Sequence, residues 1–314
     1  MEVISMPMWA WILFYALVIV MLYADLKLFG RKGQHEVSIK EALQMTCVWI
    51  AVSLIFCAGI GHFENGDKAM EFLTGYLIEK SLSMDNLFVF LMLFSFFGVQ
   101  RKYQHEVLFW GIFGALILRS IFIFAGAAMV QRFEWILAIF GVFLIYTGIK
   151  MFGHQEESVD PSKNIFVKLF KKFFPVTDQM HEDKFFIIEN GKRLATPLFI
   201  ALLVIETTDV AFAVDSIPAV FSVSRDPFIV LTSNIFAILG LRALYFALAA
   251  IAQYFQYLKY GLGIILSFVG VKMLLEVFWH IKVDTPISLL IIFGVLVLSM
   301  LASYVATSYS RRQQ

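Results

Sequence analysis

Cysteine is almost missing from this chain, with only Cys47 and Cys57 among 314 residues. They lie ten residues apart in one apolar stretch, about 15 Å of rise along a helix. That is too far for an intrahelical disulfide, and no CxxC pair is present. Thiol redox chemistry and soft-metal binding are therefore poorly supported. No two of the six histidines have zinc-site spacing. Walker motifs, nucleotide-binding glycine loops and hydrolase triad spacings are also missing, which argues against an ATP-driven pump or a classical enzyme. Charge is scarce too, at 16% of residues, where a soluble domain carries about 25%. Lys+Arg and Asp+Glu nearly balance, at 25 and 24, so no basic surface for nucleic acid is implied.

Apolar side chain is what the sequence has, at 60% of residues and a mean hydropathy of +0.79. A water-soluble fold of this length could not bury that much. The excess comes in blocks of about 20 residues, the length that crosses a bilayer as a helix. The expected fold is an all-α polytopic membrane protein with about nine transmembrane helices, near 7–29, 41–61, 71–97, 107–130, 133–153, 195–222, 229–252, 256–280 and 285–309. The first is read as a retained helix, since no basic residue precedes it. Thr196-Pro197 and Asp226-Pro227 read as N-cap followed by first helical residue.

Lys and Arg set the orientation. With the N-terminus outside, 16 of them fall in cytoplasmic segments and 4 in outer loops. The C-terminus is then cytoplasmic. The chain divides into two N-terminal helices (1–70), a first three-helix unit (71–153), a cytoplasmic connecting segment (154–194), a second three-helix unit (195–280) and a last helix with its tail (281–314). Within the connecting segment, Ile165, Phe166, Leu169, Phe170, Phe173 and Phe174 recur at helical spacing with Lys168, Lys171 and Lys172 between them. That pattern suits a helix lying on the inner leaflet, with membrane lipid as partner. Residues 185–196 read as a hairpin turning at Asn190-Gly191.

The two three-helix units resemble one another. Gly114-Ala-Leu-Ile-Leu-Arg119-Ser-Ile-Phe matches Ile238-Leu-Gly-Leu-Arg242-Ala-Leu-Tyr-Phe, and Tyr146-Thr-Gly-Ile-Lys150-Met matches Phe268-Val-Gly-Val-Lys272-Met. Asp85 precedes Arg119 by 34 residues, and Asp209 precedes Arg242 by 33. An odd number of helices per unit makes the second copy enter from the opposite side, an inverted three-plus-three repeat. Transporters are commonly built this way, with the substrate site near midplane where the copies meet.

The charges inside the spans carry the chemistry, because a charge at the bilayer centre costs at least about 2.5–3.5 kcal/mol. Span three contains Glu79, Lys80, Ser81, Ser83, Asp85 and Asn86. Span six contains Glu206, Asp209, Asp215 and Ser216, followed by Pro218. Glu206 and Asp209, three residues apart, share a helix face. Asp215 would turn away on a straight helix, and a kink at Pro218 is the expected remedy. Five acids face three core bases, Lys80, Arg119 and Arg242. Converging carboxylates with amide and carbonyl oxygens form a hard-oxygen site suited to Mn²⁺, Mg²⁺ or Ca²⁺. Such carboxylates could also exchange a metal ion for protons. Arg119 and Arg242 read as structural counter-ions, and Asp25 as a partner for a nearby base. Lys150 and Lys272 read as snorkelling side chains, and Asn234 as a helix-packing amide.

At these residues the sequence resembles a known family. The stretches Glu79–Asn86 and Glu206–Pro218, with Asp226–Asn234 and Asp25-Leu26, are similar to signature segments of the TerC family over nearly the whole chain. The similarity is closest to its Alx branch, related to the LysE-type transporter group. The resemblance implies export of manganese across the bacterial inner membrane, with no permanently bound cofactor. It implies Glu79, Asp85, Glu206, Asp209 and Asp215 as ion-binding residues, with Asn86 and Ser216 beside them. Family names also record tellurium resistance and a membrane-bound redox modulator. The expected function is a secondary transporter exporting Mn²⁺ by proton antiport, not an enzyme. Lys80, Arg119, Arg242 and Asp25 would be supporting charges. The alternatives are a divalent-cation channel and the redox or tellurium-resistance role.

Overall fold

The computed structural model describes residues 6–30, 38–133, 135–153, 165–177, 179, 181, 184–189, 191–251 and 258–312. It is all-α but for one hairpin. The elements are α1 (Met8–Gly30), α2 (Ile39–Phe63), α3 (Gly66–Phe96), α4 (Arg101–Arg132), α5 (Trp135–Lys150), α6 (Ile165–Phe173), β1 (Phe186–Glu189), β2 (Lys192–Ala195), α7 (Pro197–Phe221), α8 (Pro227–Ile238), α9 (Leu241–Ile251), α10 (Leu258–Trp279) and α11 (Thr285–Arg312). Among the described residues seven helical stretches are long and apolar enough to cross a membrane, namely α1, α2, α4, α7, α8–α9, α10 and α11. The chain is thus a multi-pass membrane protein. Helix α3 is long enough but carries Asp67, Lys68, Glu71, Glu79, Lys80 and Asp85. Helix α5 is apolar but only 16 residues long.

Helix starts follow local chemistry. Ser38 and Glu41 form a capping box on α2. Asn65 caps α3 through the Lys68 amide, and Asp226 caps α8 through the Phe228 amide with Pro227 at the first position. Thr196 holds the N-cap place of α7 but makes no cap bond. Its hydroxyl donates instead to the Lys184 carbonyl, tying the segment before β1 to the helix start.

Two expectations about helix continuity are corrected. Helix α7 runs on through Pro218 to Phe221 without unwinding. Pro218 lies one turn from the helix end, where its missing N–H costs a single bond. The break falls instead in the span read as 229–252, which divides into α8 and α9 at Leu239-Gly240. Gly240 has φ +83°, and a Cβ there would sit 2.7 Å from three atoms of Trp49. Both the backbone region and the space select glycine. The broken span lies wholly inside the protein: its membrane window is 100% buried.

Helices α5 and α10 lie against one another at close range through glycines. A Cβ on Gly141 would meet the Gly270 carbonyl at 3.0 Å, and one on Gly148 would meet the Gly263 carbonyl at 2.6 Å. Helix α6 buries Val167 and packs Phe170 against Phe199 of α7, the rings tilted to one another. It leaves Ile165, Phe166, Leu169 and Phe173 exposed. The hairpin β1–β2 is antiparallel with Glu189 opposite Lys192, and Phe186 packs on Phe199.

Candidate functional site

Charged side chains meet where α3, α4, α7 and α8 converge. Arg119 of α4 is fully buried. Its guanidinium donates through Nε to Asp209 Oδ2 at 3.0 Å and through Nη2 to Asp209 Oδ1 at 2.8 Å, a bidentate grip. Nη1 donates to Glu79 of α3. The same nitrogen lies 3.4 Å from Asn234 Oδ1 on α8 and 3.5 Å from Ser216 Oγ on α7. The Asn234 amide donates to Glu79 Oε2 at 2.8 Å, and the Ser83 hydroxyl donates to Glu79 Oε1 at 3.4 Å. One guanidinium is thus shared between carboxylates of two helices far apart in sequence. Removing charges from water costs several kcal/mol per ion unless they are paired and hydrogen-bonded, and this network supplies both.

Glu206 stands one turn before Asp209 on α7. Its carboxylate fits against Gly114 of α4, where any Cβ would overlap it. Its Oε2 is buried without a hydrogen-bond partner. Lys80, next to Glu79 on α3, also reaches α8. Its ammonium donates to the Ala237 carbonyl at 3.1 Å, in the last turn of α8, whose carbonyls lose their partners where the helix stops. Ser81 and Asn86 are buried. The side chains of Asp85 and Asp215 lie outside the described ones.

A second buried pair lies toward the C-terminal end of α1. Asp25 Oδ2 lies 2.7 Å from Arg242 Nη2 of α9, just past the break, and the Asp25 carbonyl accepts from the same nitrogen. Asp25 Oδ1 has no partner. At the other end of the fold a polar cavity of about 340 Å³ is lined by Lys68, Glu71, Asp226, Lys272 and Glu276 among others. Lys68 there pairs with Asp226 at 2.9 Å and with Glu71 at 3.5 Å. Lys272 is buried and donates to the Ser288 hydroxyl.

Glu79, Glu206, Asp209 and Ser216, read from the sequence as one group, stand on neighbouring faces of α3 and α7 around Arg119. Arg242 and Asp25 form a separate pair. Asn234, read as a packing amide, is fully buried and binds Glu79 directly. Its signals in the sequence were a primary amide inside an apolar span and its place at the end of the TerC-like segment Asp226–Asn234. Among the described residues no three His, Cys, Asp or Glu side chains stand as a ready metal-holding set, since the Arg119 guanidinium fills the space between Glu79 and Asp209.

The integral membrane protein TerC family model matches residues 64–312. The chain belongs to the TerC family. The TerC match spans α3 to α11 and so takes in Glu79, Arg119, Glu206, Asp209 and Asn234, while α1 with Asp25 precedes it. An uncharacterized membrane protein of Myxococcus xanthus is 47% identical over 300 residues, covering 96% of this chain and 93% of its own. A protein of Escherichia coli named "Putative membrane-bound redox modulator Alx" is 46% identical over 310 residues, covering 96% and 95%. An uncharacterized membrane protein of Rickettsia bellii is 40% identical over 304 residues, covering 97% and 100%. No solved structure matches the chain.

Proposed function

We propose that this protein is a secondary transporter of the bacterial inner membrane that exports Mn²⁺ in exchange for protons. The observation that carries the reading is the buried cluster in which Arg119 joins Glu79 and Asp209, with the unpartnered Glu206 oxygen one turn away. Acids held this deep call for a functional explanation, and their hard oxygens suit a divalent cation such as Mn²⁺. The cargo would bind as the guanidinium leaves, with Asp85, Asp215, Asn86 and Ser216 as further oxygens along α3 and α7. Protons would replace it on the emptied carboxylates. The broken α8–α9 span supports the same reading, because interrupted helices at the centre of a bundle are a transporter feature.

The glycine contacts support an inverted repeat. By the sequence match Gly148 corresponds to Gly270, and Gly141 to Gly263. The contacts run crosswise, Gly141 on Gly270 and Gly148 on Gly263, as they must across a two-fold axis. In this reading the two units rock about the carboxylates.

Flux of radioactive Mn²⁺ into proteoliposomes under an imposed pH gradient tests the proposal, with wild type beside Asp209→Ala. Gradient-driven flux lost in the variant is expected. Flux indifferent to pH would make the protein a cation channel, and no flux from folded protein would remove manganese. The name of the Escherichia coli relative favours the redox alternative, and there Cys47 and Cys57 become decisive. Cys47 is exposed, and Cys57 is half-buried with its thiol donating to the Ala69 carbonyl. Full flux in the double serine variant is expected.

A further inference from the structure

Glu206 presents a buried carboxylate oxygen that nothing satisfies, and a buried unsatisfied acceptor calls for an explanation. Helices α4 and α7 run side by side in the same direction. Gly111 meets Ile205, Gly114 meets Glu206, Arg119 meets Asp209 and Gly126 meets Phe221 in that order. Gly114 lies about 7.5 Å before Arg119 along α4. Helical side chains lean toward the N-terminus of their helix, so the Arg119 stem leans toward Glu206. Glu206 and Asp209 face it from successive turns of α7.

We infer that Glu206 is the second seat of Arg119: the guanidinium rests on Asp209 and Glu79 when the site is empty and moves one turn to Glu206 when a divalent cation takes those two carboxylates. The inference rests on the transport reading above and gives Glu206 a role other than cargo ligand. A cation entering between Glu79 and Asp209 would otherwise meet a fixed positive charge. The gap at Gly114, where any Cβ would overlap the Glu206 carboxylate, gives the acceptor its place beside α4. With N-terminus outside, Glu206 is the cytoplasmic neighbour of Asp209. Arg119 seated there would stand behind an outgoing ion and bar its return.

A double-mutant cycle on the purified full-length protein, read by Mn²⁺ titration calorimetry, separates the two roles of Glu206. Glu206→Gln in the wild-type background is expected to weaken Mn²⁺ binding about tenfold, a usual size for coupling between two states. In the Arg119→Gln background the same change is expected to alter binding by less than about twofold, because no guanidinium needs a seat. Arg119→Met, which fills similar space without a charge and leaves Glu79 and Asp209 in place, serves as the background if Arg119→Gln alone does not fold. Equal weakening in both backgrounds would make Glu206 a cargo ligand and overturn the second seat, as would no weakening in either. Wild-type protein that fails to bind Mn²⁺ would instead remove the transport reading, and the second seat with it.

Discussion

Arg119 and Lys68 both hold two acids, and their surroundings make the consequences different. Arg119 spreads one charge over a planar fork and can grip Asp209 with two parallel bonds while reaching Glu79 with a third nitrogen. A lysine ammonium has no such fork. Lys68, in the first turn of α3 and ahead of the apolar span, binds Asp226 and Glu71 from a half-exposed place. Burial works against its ammonium, and the two carboxylates more than offset that, so its pKa stands above the ordinary lysine value. A raised pKa gives stability that is fully present below the unfolded value, near 10.4, and is lost as pH rises through the folded one. The expected contribution is under about 1 kcal/mol, as for other partly solvated pairs. The melting difference between wild type and Lys68→Met should stay constant from about pH 7 to 9 and shrink above about pH 10.4. A difference unchanged up to the highest pH would show that the charge of Lys68 contributes nothing there.

At the scale of elements, the α5–α10 contact is the most demanding. A Cβ on Gly270 would stand 2.5 Å from the Gly141 carbonyl, and one on Gly148 would stand 2.4–2.9 Å from Ser267 and the Gly263 carbonyl on the opposite helix. Gly148→Ala and Gly270→Ala should each cost about 1–3 kcal/mol, as overpacking does. Gly294→Ala on α11, with nothing within 4 Å, should be close to neutral. Thermal unfolding in detergent measures all three, and equal melting for all would deny the close approach. The glycines themselves were legible in the sequence as part of the repeated Tyr146–Lys150 and Phe268–Lys272 segments, and so were α6 and the hairpin, whose periodicities are local. The break at Gly240 was not. A single glycine in an apolar run is tolerated in a helix, and what selects the break here is Trp49, nearly two hundred residues away. Pro218 misled for the converse reason, because a proline one turn from a helix end loses little. The acids of the candidate site were legible as charges in apolar spans. Arg119 was legible as a counter-ion, but not which acids it joins, since Glu79, Arg119, Asp209 and Asn234 meet only once α3, α4, α7 and α8 are packed.

For the whole molecule, the directions of the helices bear on orientation. The order of contacts makes α4 parallel to α7, and α5 antiparallel to α10. It also makes α3 parallel to α8–α9, since Gly75 meets Ser233, Glu79 meets Asn234 and Lys80 meets Ala237 in sequence. If α3 and α5 cross along with the seven apolar stretches, nine crossings give each of these pairs the sense required. Counting α3 or α5 out reverses later helices and sets at least one pair against its contacts. Nine is odd, so the termini would lie on opposite sides, and the 16 to 4 division of Lys and Arg would put the C-terminus on the cytoplasmic side. The exposed apolar face of α6, with Lys168, Lys171 and Lys172 beside it, would then meet the anionic inner leaflet. Epitopes at the two ends, probed by protease on intact spheroplasts, test this directly. The N-terminal tag should be removed and the C-terminal tag spared until the membrane is opened. Cleavage of both tags, or of neither, would require an even number of crossings. An even count reached by leaving out α5 would break the parallel pairing of α4 with α7 on which the meeting of Arg119 and Asp209 depends.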